Sequence, residues 1–187
     1  RESCDAIIQA WYGGELGGQA LAEVLFGDYN PSGKLPVTFY KSTNDLPDFL
    51  DYKMKNRTYR YFTGEPLFPF GYGLSYTNFE IGKPEYKDDK VLVSVKNTGA
   101  MAGLETVQVY IRNIADMEGP LKTLRAYQQV QLAPGEAKTI AIDLPRSSFE
   151  GWDTQTNTMR VVPCKYELMV GNSSADRDLK KIIINLK

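Results

Sequence analysis

The stretch PLFPFGYGLSYTNF, residues 66–79, constrains the fold of this chain more than any other part of the sequence. Its two prolines remove backbone donors and its two glycines permit tight turns, so this stretch cannot lie inside a helix or a central strand. Its aromatic side chains nevertheless carry more apolar area than a flexible linker would expose to water. We therefore predict a rigid, packed seam over residues 66–79, with regions of different character on either side.

The region before the seam has a mixed α/β pattern. An apolar run, Ala6 to Trp11, predicts a buried strand, and the pattern from Gln19 to Gly27 predicts a helix that ends at a glycine. Lys34 to Phe39 predicts an edge strand because it contains Pro36. Arg57 to Phe62 alternates and predicts a further strand. Residues 1–65 are therefore expected to form part of an α/β sandwich domain rather than a complete one.

The region after the seam has the period of two that is typical of strands. Val91, Val93 and Val95 fall on one face of a predicted strand. Counting from Phe79, about seven or eight short strands follow, which is the number and spacing of an immunoglobulin-like sandwich. The Cys, Trp, Cys pattern of antibody domains is missing. We therefore predict a mainly β protein, with a fibronectin III-like β-sandwich over residues 80–187 and a partial α/β segment before it.

Composition excludes several classes of function. The chain has 22 basic and 23 acidic residues without a basic block, which argues against nucleic acid as a partner. With 42% hydrophobic and 24% charged residues, the chain suits a folded protein without a membrane span. Histidine is absent, which removes the commonest general base and zinc ligand. We expect no metal and no cofactor.

The two cysteines and the first residues bear on where the chain comes from. Cys4 and Cys164 could form a disulfide across the seam or remain two free thiols, so the compartment stays open on this ground. The chain has no initiator Met and reaches the predicted strand at Ala6 within a few residues. We expect it to be the C-terminal end of a longer protein, in the periplasm or secreted rather than in the cytoplasm.

Two stretches resemble a known family. Residues 6–38, with AIIQAWYGGELGG and AEVLFGDYNPSGKLPVT, look like the closing part of the α/β sandwich domain in family-3 glycoside hydrolases, and PFGYGLSY, residues 69–76, resembles that family's entry into its fibronectin III-like domain. The resemblance implies a retaining β-glycosidase of the β-glucosidase or β-xylosidase type, which also contains a (β/α)8 barrel. Its partners would be the remaining domains of the parent enzyme and an oligosaccharide substrate.

The resemblance also implies where catalysis would take place. Retention requires an aspartate nucleophile and a glutamate acid/base, and the family carries the nucleophile in a Ser-Asp-Trp-like motif in the barrel and the acid/base upstream of the Ala6 strand. This chain has no Ser-Asp-Trp, so no catalytic residue is carried over and the chain alone is expected to be inactive. Tyr12, Glu15 and Arg57 are candidate substrate contacts. Glu15 could instead serve the helix dipole, and Arg57 could instead pair with nearby aspartates.

Two further expectations remain open. The alternative to an enzyme segment is a freestanding fibronectin-like module that binds carbohydrate or protein through exposed aromatic residues. For the enzyme segment we expect the seam aromatics to be buried against Trp11, Tyr12 and Phe39. We also expect an apolar patch over residues 6–40, through which the chain could form a homodimer. Trp152 is interpreted as a core or loop-packing residue rather than a sugar platform.

Overall fold

A computed structural model describes residues 3–187, and its larger part is a β-sandwich. The period-two pattern after the seam folds as predicted, which confirms the mainly β, fibronectin-like class. Ten strands follow the seam: β1 (Phe79–Ile81), β2 (Glu85–Lys87), β3 (Lys90–Asn97), β4 (Gly103–Asn113), β5 (Thr123–Leu132), β6 (Ala137–Asp143), β7 (Gly151–Asp153), β8 (Thr158–Arg160), β9 (Cys164–Gly171) and β10 (Leu179–Leu186).

The strands form two antiparallel sheets and one small hairpin. In the first sheet β3 pairs with β6 along most of its length and with β2 and β1 at its two ends. The second sheet has the order β10-β9-β4-β5, with a bulge in the β4–β5 ladder between Val109 and Tyr110. The hairpin pairs β7 with β8. Its Trp152 is 60% exposed, so Trp152 is not a core residue, because a two-stranded hairpin has no sheet face to cover it; loop packing stays a prediction.

The core lies between the two sheets. Alternate residues of the longest strands point inward, and most of these positions are β-branched or leucine, which fill a pleated interface well. Three aromatic residues close one end of the sandwich, where Phe149 packs edge-on against Tyr86 and Tyr166. The buried set includes Val91, Val93, Val95, Val107, Val109, Ile111, Leu132, Ile140, Ile142, Leu144, Phe149, Leu168 and Val170.

The region before the seam has fewer regular elements than predicted. The predicted helix is present as α1 (Gly17–Phe26), which ends at Gly27 in a left-handed conformation. Ala6 to Trp11 is irregular and exposed, and Lys34 to Phe39 contributes only one bridge, between Phe39 and Phe68. Both strand predictions were wrong for the same reason: within residues 3–78 no strand lies beside these segments to complete a ladder.

The third misassigned segment is a short helix. Residues 57–62, predicted as a strand, contain α2 (Thr58–Tyr61). The backbone N–H of Phe62 donates to the carbonyl of Thr58 at 2.9 Å. Tyr59 packs on Phe70, and Phe62 packs edge-on against Tyr40. The two anchoring rings are three residues apart, which is helical spacing, and this packing overrides the alternating pattern.

Candidate functional site

The backbone of the seam is hydrogen-bonded to the regions on both sides. On the α/β side, the N–H of Leu35 donates to the carbonyl of Tyr72 at 2.8 Å, and the N–H of Phe39 donates to the carbonyl of Phe68 at 2.9 Å. On the sandwich side, the N–H of Ser174 donates to the carbonyl of Phe70 at 2.9 Å. The seam therefore connects the two regions through ordered backbone contacts, as a rigid joint requires.

An aromatic stack adds apolar contact at the same place. The rings of Tyr59 and Phe70 are stacked with centroids 4.2 Å apart, and Tyr59 meets Tyr110 of β4 edge-on at 5.8 Å. Tyr110 is fully buried, and burial, with the neighbouring Tyr59, raises the pKa of its phenol. Its hydroxyl donates to Oε1 of Gln108. Nε2 of Gln108 in turn donates to the carbonyl of Gly71 at 3.0 Å, so the stack and the seam backbone form one network.

A buried ion pair joins the two regions. Nζ of Lys34 lies 2.7 Å from Oε1 of Glu105 in β4, and the two side chains are only 13% and 3% exposed. The remaining carboxylate oxygen of Glu105 accepts a hydrogen bond from Asn172 at 3.1 Å, and Lys34 also donates to the carbonyl of Gly73 at 3.0 Å. A charge buried this deeply is costly without its partner. Lys34, from the region before the seam, and Glu105, from the sandwich, therefore stabilise each other.

The burial expected of the seam aromatics is only partly present. Phe68 packs edge-on against Phe39 with centroids 6.3 Å apart, but Trp11 and Tyr12 are exposed and do not cover the seam. Tyr76 is also half exposed, although its hydroxyl donates to the carbonyl of Val24 in α1 at 2.6 Å.

The predicted substrate contacts lie on two separate loops. Tyr12 is fully exposed, and Glu15 is exposed on the same glycine loop two residues before α1. The side chain of Arg57 donates to the backbone carbonyls of Lys53 at 3.0 Å and Asp48 at 3.2 Å, and to that of Asp51. It thus binds backbone carbonyls and not the aspartate carboxylates of its alternative interpretation. Within residues 3–187 no hydrogen bond or ion pair joins Arg57 to Tyr12 or Glu15.

The cysteines are free thiols. Cys4 is exposed, and Sγ of the half-buried Cys164 donates to Oδ1 of Asn113 at 3.1 Å. Over residues 3–187 no cluster of three or more acidic or cysteine side chains is placed to hold a metal ion. In the same part of the chain, no helix is both long enough and apolar enough to cross a membrane.

Three polar residues of the seam region were not identified from the sequence. Glu105 and Gln108 lie in β4 among valines, and Lys34 precedes a predicted edge strand. A charged or amide side chain within an otherwise apolar strand is the signal that could have identified the first two, because such groups need a partner when buried. Nothing local to Lys34 indicates that it reaches Glu105, since the two are 71 positions apart.

A cleft of about 550 Å³ opens beside the seam. One wall is the outer face of the second sheet, and the other runs from Tyr59 to Pro69. One wall thus comes from the sandwich, and the facing wall comes from the seam itself and from the region before it, which also contributes Thr38.

Comparisons with known proteins identify both regions. The glycosyl hydrolase family 3 C-terminal domain matches residues 1–76, and a fibronectin type III-like domain matches residues 105–174. The chain is 56% identical to a xylan 1,4-beta-xylosidase of Xylanibacter ruminicola over 99% of its own length and 22% of that protein. It is 36% identical to a periplasmic beta-glucosidase of Salmonella typhimurium over 93% of the chain and 25% of that protein.

A solved structure agrees. The beta-glucosidase of Kluyveromyces marxianus superposes with a TM-score of 0.82 at 35% identity, over 95% of this chain and 23% of that one. The chain therefore spans about a quarter of the length of the proteins it matches. On these matches, the chain belongs to glycoside hydrolase family 3 and corresponds to the C-terminal part of its members.

Proposed function

We propose that this chain is the C-terminal portion of a retaining β-glycosidase, either a β-glucosidase or a β-xylosidase, that hydrolyses terminal non-reducing β-linked sugars. The observation that carries the proposal is the 56% identity to a xylan 1,4-beta-xylosidase over 99% of the chain. At the level of the hydrolase family, the beta-glucosidase relatives agree.

Within such an enzyme the chain has a structural role. The seam hydrogen bonds, the aromatic stack and the Lys34–Glu105 pair hold the end of the α/β domain against the sandwich. An interface with buried charges and matched backbone groups has one preferred geometry. The sandwich would therefore brace the α/β domain, in which the family places its acid/base.

Three carboxyl groups with lowered pKa values, those of Glu136, Asp153 and Asp176, are poor candidates for the general acid of a glycosidase. The general acid of a retaining enzyme needs a raised pKa. Backbone hydrogen bonds, at Ala133 and Gln155, lower the pKa of Glu136 and Asp153. Burial opposes ionisation of Asp176, but hydrogen bonds from two lysines outweigh it and lower the pKa of this group too. A lowered pKa keeps a carboxyl group ionised, which suits an ion pair. A general acid must instead be protonated.

The remaining domains of the parent are the proposed partners of the α/β segment. Ten large apolar side chains are exposed between Ile7 and Val37, so nearly a third of the residues of this short segment present apolar area to solvent. Exposed patches of this kind mark contact surfaces. We propose that other parts of the parent cover them, and that a second copy of the chain does so when those parts are missing. The patch includes Ile7, Ile8, Trp11, Leu16, Leu25, Phe26 and Val37.

The test uses the native polypeptide from the source. An antibody against this chain captures the polypeptide, its mass is read under denaturing conditions, and the captured protein is assayed on aryl β-xylosides and aryl β-glucosides. We expect a mass several-fold above 21.0 kDa and hydrolysis of at least one substrate. A mass near 21.0 kDa without hydrolysis would contradict the proposal and leave a binding module instead.

A further inference from the structure

The cleft beside the seam contains an unusual pair of charged side chains. Arg112 of β4 and Glu167 of β9 are directly opposite each other in the antiparallel register, and both line the cleft. Neither side chain forms a hydrogen bond or an ion pair with another residue of the described chain. Nε of Arg112 is buried without a partner, and so is the hydroxyl of Thr38 on the facing wall. Buried polar atoms of this kind are uncommon and call for an explanation.

The other charges of the cleft are already matched. Nζ of Lys122 lies 2.9 Å from Oδ1 of Asp176, and Nζ of Lys181 lies 3.1 Å from the same oxygen. Arg177 lies 3.8 Å from Asp178, and Glu65 is paired with Lys41. These pairs leave the Arg112 guanidinium and the Glu167 carboxylate as the two charged groups of the cleft without a charged partner in residues 3–187.

This arrangement selects for a neutral ligand rich in hydroxyl groups. A guanidinium only donates hydrogen bonds and a carboxylate only accepts them, whereas each sugar hydroxyl does both. An anion would meet the Glu167 carboxylate, and a cation would meet the Arg112 guanidinium. The lining also includes apolar side chains, which suit the C–H face of a sugar ring. Its apolar members are Tyr59, Phe62, Pro66, Pro69, Leu121 and Met169.

We infer that this cleft binds a neutral saccharide of one or two units. Arg112 donates to one hydroxyl, Glu167 accepts from a neighbouring one, and the Thr38 hydroxyl reaches the ligand from the facing wall. A volume of about 550 Å³ lies within the usual range of small-molecule sites. The site goes beyond the proposed function, because it holds a sugar on the sandwich rather than at the catalytic centre. Only the choice of sugar probes rests on that function.

The test is an NMR titration of the 187-residue chain with xylobiose and, separately, with cellobiose. We expect saturable shifts of the Arg112 Nε–H and of the Thr38 amide with at least one disaccharide. Arg112→Met keeps the length of the side chain but removes its donors, and should weaken binding at least about tenfold. Glu167→Gln keeps one acceptor without its charge and should weaken binding about threefold. Near-UV circular dichroism checks that each variant is folded.

Two controls complete the design. Glu80→Gln removes a charge from an exposed glutamate of β1, outside the cleft, and should leave the affinity unchanged. Glucuronic acid tests for an anion site. No saturable shift with either disaccharide, equal effects of Glu167→Gln and Glu80→Gln, or a response to glucuronic acid alone would each overturn the inference. The titration reads binding and not hydrolysis, so its failure would leave the glycosidase proposal standing.

Discussion

Gly71 shows how closely the seam approaches the sandwich. Its φ is +79°, and a Cβ at this position would lie 2.0 Å from Oε1 of Gln108. Gly135 has a similar φ of +75° but open space around it. Both Gly→Ala changes introduce left-handed strain of about 1–2 kcal/mol, and only Gly71→Ala also displaces Gln108 from its buried hydrogen bonds.

We therefore expect Gly71→Ala to lower the free energy of unfolding by at least about 1 kcal/mol more than Gly135→Ala. Urea denaturation followed by tryptophan fluorescence measures both losses. Equal losses of unfolding free energy in the two variants would mean that the contact between Gly71 and Gln108 does not contribute to stability.

The Lys34–Glu105 pair gives a second prediction at this scale. Lys34→Met leaves the Glu105 carboxylate buried without its partner, which should cost about 3–5 kcal/mol of unfolding free energy. Lys90→Met is the matched control, because Lys90 and Asp143 form an exposed pair, and it should cost at most about 1 kcal/mol. Denaturation of both variants under the same conditions compares the losses. A loss from Lys34→Met no larger than that from Lys90→Met would contradict a structural role for the buried pair.

At the scale of elements, β2 and β9 meet at Phe149, and each contributes a tyrosine with a raised pKa. Burial, and then a hydrogen bond to Asp89, raise the pKa of Tyr86 to about 12. Burial, and then the neighbouring Cys164, raise the pKa of Tyr166 to about 12. The folded state therefore holds these protons more tightly than the unfolded state, whose tyrosine pKa is about 10.

The sign of the pH dependence follows from these shifts. The stability that the two phenols contribute is complete below about pH 10 and is lost as the pH rises through about 12. We expect the melting temperature to fall steeply over this window, and less steeply in Tyr86→Phe and Tyr166→Phe. Tyr127→Phe, at an exposed position, is the control. If the melting temperature falls with pH as steeply in both Tyr86→Phe and Tyr166→Phe as in the unsubstituted chain, the prediction is contradicted.

The elements also show what the sequence could predict. β3, β4 and β9 were predictable because their ladders are completed by strands within the chain, so the local period and the tertiary environment agree. The segments at Ala6 and Lys34 have an equally clear apolar pattern, but a strand needs a neighbour, and the pattern does not say where that neighbour is. For α2, two ring contacts outweighed a local alternation.

The candidate sites depend still more on distant contacts. The seam could be predicted because its prolines, glycines and aromatics are contiguous. Arg112 and Glu167 are brought together by the order of the strands, and Lys34 and Glu105 by the docking of the α/β segment on the sandwich. No local spacing in the sequence shows either contact. The role of Arg57 in holding the carbonyls of its own loop was hidden for the same reason, since any arginine near aspartates suggests an ion pair.

At the scale of the whole molecule, the exposed apolar side chains of residues 6–37 predict association of the isolated chain. We expect the 187-residue chain to form dimers at micromolar concentration and to bind an apolar dye. Trp11→Ser combined with Phe26→Ser should weaken both effects, since both side chains are more than half exposed. Sedimentation equilibrium and dye fluorescence measure the outcome. A monomeric mass without dye binding would contradict the prediction that this apolar surface associates with another copy of the chain.

The most direct test of the account is the rate at which the isolated 187-residue chain hydrolyses an aryl β-xyloside, measured beside the native polypeptide that carries it. We expect hydrolysis by the native polypeptide and a rate indistinguishable from the buffer blank for the chain alone, because we propose that the chain supplies the brace and not the paired carboxyl groups. Turnover by a chain free of contaminating enzyme would contradict this division of roles.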